Sequence, residues 1–212
     1  MNLIFLHGLG QTSSSWNKTV ASLPPNIGTH CPDLFHLGEL CKQGKRTYEE
    51  LYLAFETYAD GFSMPLHLCG ISLGAILALH YTLNHPDNVS SLVLIAPQYK
   101  MPKFLLSIQS MVFHRMPERS FSKVGITKQD FISLTNSMRN LDFTWNLKTI
   151  LCPTLIICGQ TDTANIRAAK KTAARISNAT LHIIEKAGHE VNIEAPQKLA
   201  NLLNLFYGAT IF

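Results

Sequence analysis

Pro65-Leu66-His67-Leu68-Cys69-Gly70-Ile71-Ser72-Leu73-Gly74-Ala75-Ile76-Leu77-Ala78-Leu79 joins two apolar runs through one serine, with a glycine two residues to either side of it. Residues 65–69 read as a buried strand and residues 75–79 as a buried helix. A serine at such a strand-to-helix turn follows the nucleophile-elbow pattern, in which the hydroxyl projects at the carboxyl end of a sheet. The turn holds its serine in a backbone conformation that costs about 1–3 kcal/mol and tends to persist where geometry serves function. The glycines lack a Cβ, so strand and helix can approach closely around the turn.

Outward from this turn, six short apolar runs alternate with longer amphipathic segments. That pattern predicts an α/β fold: a three-layer sandwich with a mostly parallel sheet of about six strands and helices on both faces. The expected strands lie near 2–6, 27–31, 65–69, 91–95, 153–158 and 180–185. The expected helices lie near 14–23, 47–60, 73–84, 163–176 and 195–206. Ser13 or Ser14 suits the cap of the first helix, Pro196 suits an early position in the last, and Pro86 ends the helix behind the serine. The alternation breaks once. Between Pro97 and Leu147 no strand is evident, and Lys103–Met116 and Lys128–Leu141 read as helices. A helical insertion at the carboxyl edge of an open sheet lies over the ligand crevice, so residues of about 98–147 are expected to form a small lid over Ser72. Its apolar residues, among them Phe104, Leu105, Met111, Phe113, Phe121, Phe131, Met138 and Trp145, either line a pocket or pack the lid on the core.

The 212 residues fit one domain, 1–212, without repeats or linkers. No run approaches the roughly 18 apolar residues of a membrane span, and the apolar start at Asn2 reads as a strand rather than a leader. Five cysteines, odd in number and without zinc-type pairing, point to a reduced, cytoplasmic setting and to no metal site. The net charge of +4 is mild, and there is no basic run of the kind nucleic acid needs. Residues 100–148 nevertheless carry eight Lys and Arg against Glu118, Asp130 and Asp142. That excess reads as a solvated surface or as attraction for an anionic substrate.

A serine hydroxyl needs a base, a group that orients the base, and donors for a developing oxyanion. Of nine histidines, His30, His67, His80 and His182 fall within expected strands or helices, His85 ends a helix, and His36 and His114 sit in loop or lid. His189 differs: it stands after Gly188 in a loop between the last strand and the last helix, where a base is required. The acid is Asp162, which follows the strand Leu155-Ile156-Ile157-Cys158 and a tight turn; it also suits the cap of the helix that follows. The order Ser72, Asp162, His189 is one of several that such residues take along different folds. Oxyanion donors are expected from the backbone N–H of Leu73, at a helix N-terminus, and of Leu9, in the loop His7-Gly8-Leu9-Gly10. His7 is read as a support for that loop.

With these residues in place, the chain resembles the α/β-hydrolase superfamily over nearly its whole length. The resemblance rests on HGLG at 7–10, Trp16, GISLG at 70–74, LVLIAP at 92–97, PTLIICGQTD at 153–162 and AGHEVNIEAP at 187–196. It departs from the usual pattern in lacking the first two strands, so that six stand in place of eight, and in having a short lid over a shallow or open pocket. The resemblance implies an acyl-enzyme hydrolase of esters or thioesters of small to medium acyl compounds, acting on a small-molecule acyl substrate without a cofactor; from charge and hydropathy, neither nucleic acid nor membrane is expected as partner. Two alternatives stay open. One is a carbon–carbon lyase or synthase on an anionic substrate, like the menaquinone-pathway member, although Ala75 stands where that group often has a second glycine. The other is a non-catalytic ligand-binding member.

Overall fold

A computed structural model describes residues 2–25, 27–37, 46–63, 65–102, 117, 118, 121 and 126–211. Its centre is a six-stranded sheet of β1 (Asn2–Leu6), β2 (Gly28–His30), β3 (Leu66–Ile71), β4 (Val89–Ile95), β5 (Thr154–Gly159) and β6 (Ala179–Ile184). The spatial order is β2-β1-β3-β4-β5-β6, and every pairing is parallel. Each predicted strand is present, with its ends moved by a residue or two.

The strands are apolar on both sides because both faces are covered. Leu3, Phe5, Cys69, Ile71, Val93, Ile95, Leu155 and Ile157 face one layer, built from Trp16, α1 (Asn17–Val20), α6 (Val191–Glu194) and α7 (Pro196–Ile211). Ile4, Leu6, Leu66, Leu68, Leu92, Leu94 and Ile156 face the other, built from α2 (Tyr48–Ala59), α3 (Leu73–Asn84), α4 (Lys128–Ser137) and α5 (Ile166–Ala173). Side chains that alternate along one strand therefore fill two cores. α2 starts where its sequence dictates: Thr47 accepts from the Glu50 N–H, and Glu50 accepts from the Thr47 N–H at 2.8 Å. α3 is buried nearly all round, as its run of Leu, Ile and Ala requires.

Three expectations need correction. The helix expected over 14–23 is a 3-10 turn, Ser13–Trp16, followed by the short α1, and no serine caps it. Thr12 Oγ1 instead pairs with Ser14 Oγ at 2.8 Å, and Ser15 Oγ donates to Thr12 O at 2.8 Å. Hydroxyls that bond locally in this way compete with helix formation. The helix expected from 163 starts at Ile166, so Asp162 is not its cap; Asn165 takes that position. The last helix runs on to Ile211.

Between β4 and β5, Met101 N–H donates to Leu141 O at 3.0 Å and Phe143 N–H to Tyr99 O at 2.8 Å. These bonds pin the two ends of the insertion together. α4 continues into a 3-10 turn, Met138–Asn140, which matches the helix expected to reach Leu141. Phe121 and Phe131 pack against each other in the core, ring centroids 5.1 Å apart, and Trp145 is 82% exposed. Of Phe121, Phe131, Met138 and Trp145, the described members of the apolar set expected to line a pocket, Met138 lines the cavity that holds Ser72. The helix expected over Lys103–Met116, with Phe104, Leu105, Met111, Phe113 and His114, lies outside the described residues. Cys31, Cys69, Cys152 and Cys158 are free thiols. Among the described residues no helix is long and apolar enough to cross a membrane.

Candidate active site

The sheet order places two pairs of strand ends along one edge, with β4 between the pairs. Adjacent strands β1 and β3 send out the loops carrying Leu9 and Ser72, and adjacent β5 and β6 send out those carrying Asp162 and His189. A crevice at the carboxyl ends of parallel strands is where open α/β sheets bind ligands.

β3 ends at Ile71 and α3 begins at Leu73, so Ser72 alone makes the turn, with φ 53° and ψ −112°. Its N–H donates to Ile95 O at 3.0 Å and its carbonyl accepts from Ile76 N–H at 3.0 Å, and these bonds hold the strained residue in place. The hydroxyl makes no capping bond to α3. A Cβ on Gly70 would run into the Gly74 carbonyl, and one on Gly74 into the carbonyl of Leu6 at the end of β1. Both glycines are thus demanded by how tightly strand, turn and helix are stacked.

The loop after β1 is held by its neighbours. His7 is buried; its Nδ1–H donates to Gly8 O at 2.9 Å, and its Nε2 accepts from Leu34 N–H at 3.0 Å. Burial pushes its pKa below the ordinary value, in keeping with the neutral ring that this pair of bonds requires. Gly10 turns the chain at φ 83°. Gln11 Oε1 accepts from Gly8 N–H at 3.1 Å, and its Nε2 reaches Glu190 at 3.0 Å and Asn192 at 3.3 Å. The first loop is therefore tied to the loop that carries His189.

Asp162 is 6% exposed. Its turn is stitched to the next loop by Thr161, whose N–H and hydroxyl both donate to Ala187 O, at 2.9 and 3.0 Å. His189 Nδ1–H donates to Asp162 Oδ2 at 2.8 Å. Asn165 adds its own N–H at 3.2 Å and its amide Nδ2 at 2.8 and 2.9 Å to the same carboxylate. Burial works to raise the Asp162 pKa, but the bonds from His189 and Asn165 outweigh it and hold it below the ordinary carboxylate value. The bond to Asp162 raises the His189 pKa against the opposing effect of burial. Asn165 Nδ2 also lies 3.1 Å from His189 Nδ1, and Gln98 Nε2 donates to Asn165 Oδ1 at 2.7 Å, which fixes which way that amide points. Glu194 accepts from the N–H groups of Gly188 at 2.6 Å and Glu190 at 3.0 Å, bracing the histidine loop from behind.

Leu9, Ser72, Leu73, Asp162 and His189, the five residues singled out from sequence, all line one cavity of about 380 Å³. Ile76, Met101, Pro102 and Met138 form its apolar wall, with Gln98, Thr135 and Asn165 as further polar groups. Three of the other described histidines have structural partners: His67 pairs with Ser91 at 2.8 Å, His80 with the Tyr48 hydroxyl at 3.1 Å, and His85 with Glu56 at 2.7 Å. Gln11, Gln98, Asn165 and Asn192 escaped the sequence reading. No short motif marks them. Among the described residues no group of three His, Cys, Asp or Glu is placed to hold a metal ion.

Over 266 aligned positions the chain is 26% identical to a monoacylglycerol lipase of Xenopus laevis, covering 97% of this chain and 74% of that protein. It is 29% identical over 135 positions to the pimeloyl-[acyl-carrier protein] methyl ester esterase of Vibrio vulnificus, covering 63% of this chain and 52% of that one. The crystal structure of a hydrolase from Pseudomonas aeruginosa superposes with a TM-score of 0.83 at 20% identity, covering 98% of this chain and 89% of the other. The model of the alpha/beta hydrolase family matches residues 3–202, and the chain belongs to that family.

Proposed function

We propose that this protein is a serine hydrolase that cleaves carboxylic esters or thioesters of small to medium acyl groups. The observation that carries the proposal is the Asp162–His189 hydrogen bond at 2.8 Å, formed in the same cavity as a serine held at φ 53°. Ser72 Oγ attacks the acyl carbonyl while His189 Nε2 takes its proton. Asp162 keeps the proton of Nδ1 in place and stabilises the imidazolium. The Leu9 and Leu73 amides hold the oxyanion, the latter at the N-terminus of α3. The alcohol or thiol leaves with the proton from His189, and water activated by the same ring releases the acid. These steps call for no metal or cofactor.

Two further features support an acyl substrate. The described lining of the cavity contains no Lys or Arg and is walled by Ile76, Met101, Pro102 and Met138, which suits an apolar acyl chain. Both curated relatives are named for carboxylic ester cleavage. The described part of the insertion acts as a lid, since Met101, Pro102, Thr135 and Met138 form one wall of the cavity. A fluorophosphonate should label Ser72, and short p-nitrophenyl esters should be turned over. Ser72→Ala and His189→Ala should each lower kcat by about 10⁴-fold or more. Folded protein that neither labels nor hydrolyses any ester would rule out this function.

A further inference from the structure

A second cleft, of about 310 Å³, adjoins the catalytic cavity. Gln98, Met101, Pro102 and Ala164 line both, so the two share a wall. The chemistry changes across that wall. On the far side stand Lys100, Arg167 and Lys171. Arg167 and Lys171 are four residues apart on α5 and so share one face of it. Both are exposed, and among the described residues neither has an ion-pair partner. α5 contains no acidic residue. Lys100 is already matched, 2.7 Å from Asp142. Arg175 extends the basic face, with its guanidinium 5.3 Å from the centre of the Tyr99 ring. Among the described residues, two of the three cations at this cleft come from α5 and one, Lys100, from the segment 100–148.

The direction of the substrate follows from the proposed reaction. His189 must hand its proton to the leaving atom, so the leaving half lies against His189. Asn165 lies beside His189 at 3.1 Å, Gln98 bonds to Asn165 at 2.7 Å, and Gln98 is part of the shared wall. Gln98 and Ala164 line both the cavity that holds His189 and the second cleft, so a leaving half that lies against His189 has a path over that shared wall toward α5.

We infer that the cleft at Arg167 and Lys171 binds an anionic group, a phosphate or a carboxylate, carried on the alcohol or thiol half of the substrate. The inference rests on the hydrolase reading and names the substrate class for it. The anion takes no part in bond making: the acyl C–O or C–S bond breaks, water supplies the new oxygen, and the leaving half departs with its anion intact. A guanidinium and an ammonium together suit such a group, because the planar fork of arginine can bond two oxygens at once.

The test compares monobutyrin, butyryl glycerol 3-phosphate and butyryl glycolate by release of butyrate. The expected result is a kcat/KM for one or both anionic esters about tenfold above that for monobutyrin in about 10 mM salt, expressed mainly in KM. The advantage should shrink to about twofold in about 500 mM salt. It should be lost in the Arg167→Ala/Lys171→Ala double variant and kept in Arg167→Lys/Lys171→Arg. The readout is the ratio within each variant, so a general loss of rate does not imitate it. A gain confined to the phosphate or the carboxylate ester identifies which anion the cleft takes. Hydrolysis of monobutyrin with no anionic advantage, or an advantage that the double alanine variant keeps, overturns the cleft and leaves ester hydrolysis standing. Failure of all three esters with Ser72 unlabelled by a fluorophosphonate overturns both.

Discussion

At the scale of single residues, the proposed chemistry depends on where the Nδ1 proton of His189 resides. As a base, His189 must be neutral, and its bond to Asp162 raises its pKa above 6.5. Activity should therefore fall as pH drops through a value above 6.5. Asn165 tempers this effect: its two N–H donors stabilise the Asp162 carboxylate and weaken its pull on the histidine proton. In Asn165→Ala the carboxylate should pull harder, so the acid limb of kcat/KM should move to higher pH. Measuring kcat/KM from pH 5 to 9 in both proteins checks this, and an unmoved or lowered limb contradicts it. Ser72, Asp162 and His189 were legible because each sits beside a strong local signal: a glycine pair, a strand end, a glycine turn. Asn165 and Gln98 were not, because their importance comes from a contact across 67 positions of chain. An asparagine after a turn and a glutamine after a proline carry no local mark of that contact.

At the scale of elements, the site is a set of loops held at fixed spacing by the sheet and by each other. Leu6 pairs with Gly70 across β1 and β3, and Gly159 with Ile184 across β5 and β6, so each pair of loops starts level. α3 must then pass close over the end of β1. A Cβ on Gly74 meets the Leu6 carbonyl, which is backbone in a central strand and cannot rotate away. Gly74→Ala should consequently destabilise the fold by about 3 kcal/mol, the upper part of the overpacking range, and reduce labelling of Ser72 as well. Urea unfolding should show a lower midpoint at unchanged slope. A midpoint equal to that of the parent would mean α3 is free to shift. The strands and the elbow were readable from apolar runs and glycine spacing. The start of α5 was not: Asp162 accepts from the Asn165 N–H at 3.2 Å, so the turn runs on three residues past the expected helix start before α5 begins. Likewise Gln11 and Asn192, which join the first loop to the histidine loop, are partners 181 positions apart. The alternation of hydrophobic residues reveals where strands lie but not which polar side chains tie their loops together.

At the scale of the whole molecule, one sheet serves two cores. Leu3 and Phe5 pack with Trp16 and α7, while Ile4 and Leu6, on the same strand, pack with α2 and α3. Neither layer can come away without stripping alternate side chains of the strands from their neighbours. That arrangement calls for a single unfolding transition that includes both faces. The two tryptophans allow a direct check. Trp16 is fully buried on the α7 face, with its ring 4.9 Å from that of Phe5, whereas Trp145 is 82% exposed. In Trp145→Phe the remaining emission reports the α7 face alone, and far-UV circular dichroism reports the whole fold. The two should give one midpoint in urea. Leu77→Ala then cuts a cavity into the opposite face, where Leu77 is fully buried on α3. It should lower stability by about 2–5 kcal/mol. Because the faces share their strands, the Trp16 signal should move with the circular dichroism signal by the same amount, although Leu77 belongs to the core on the other side of the sheet. If the Trp16 midpoint stayed in place while circular dichroism moved, the layers would unfold separately, and the sheet would not bind them into one cooperative unit.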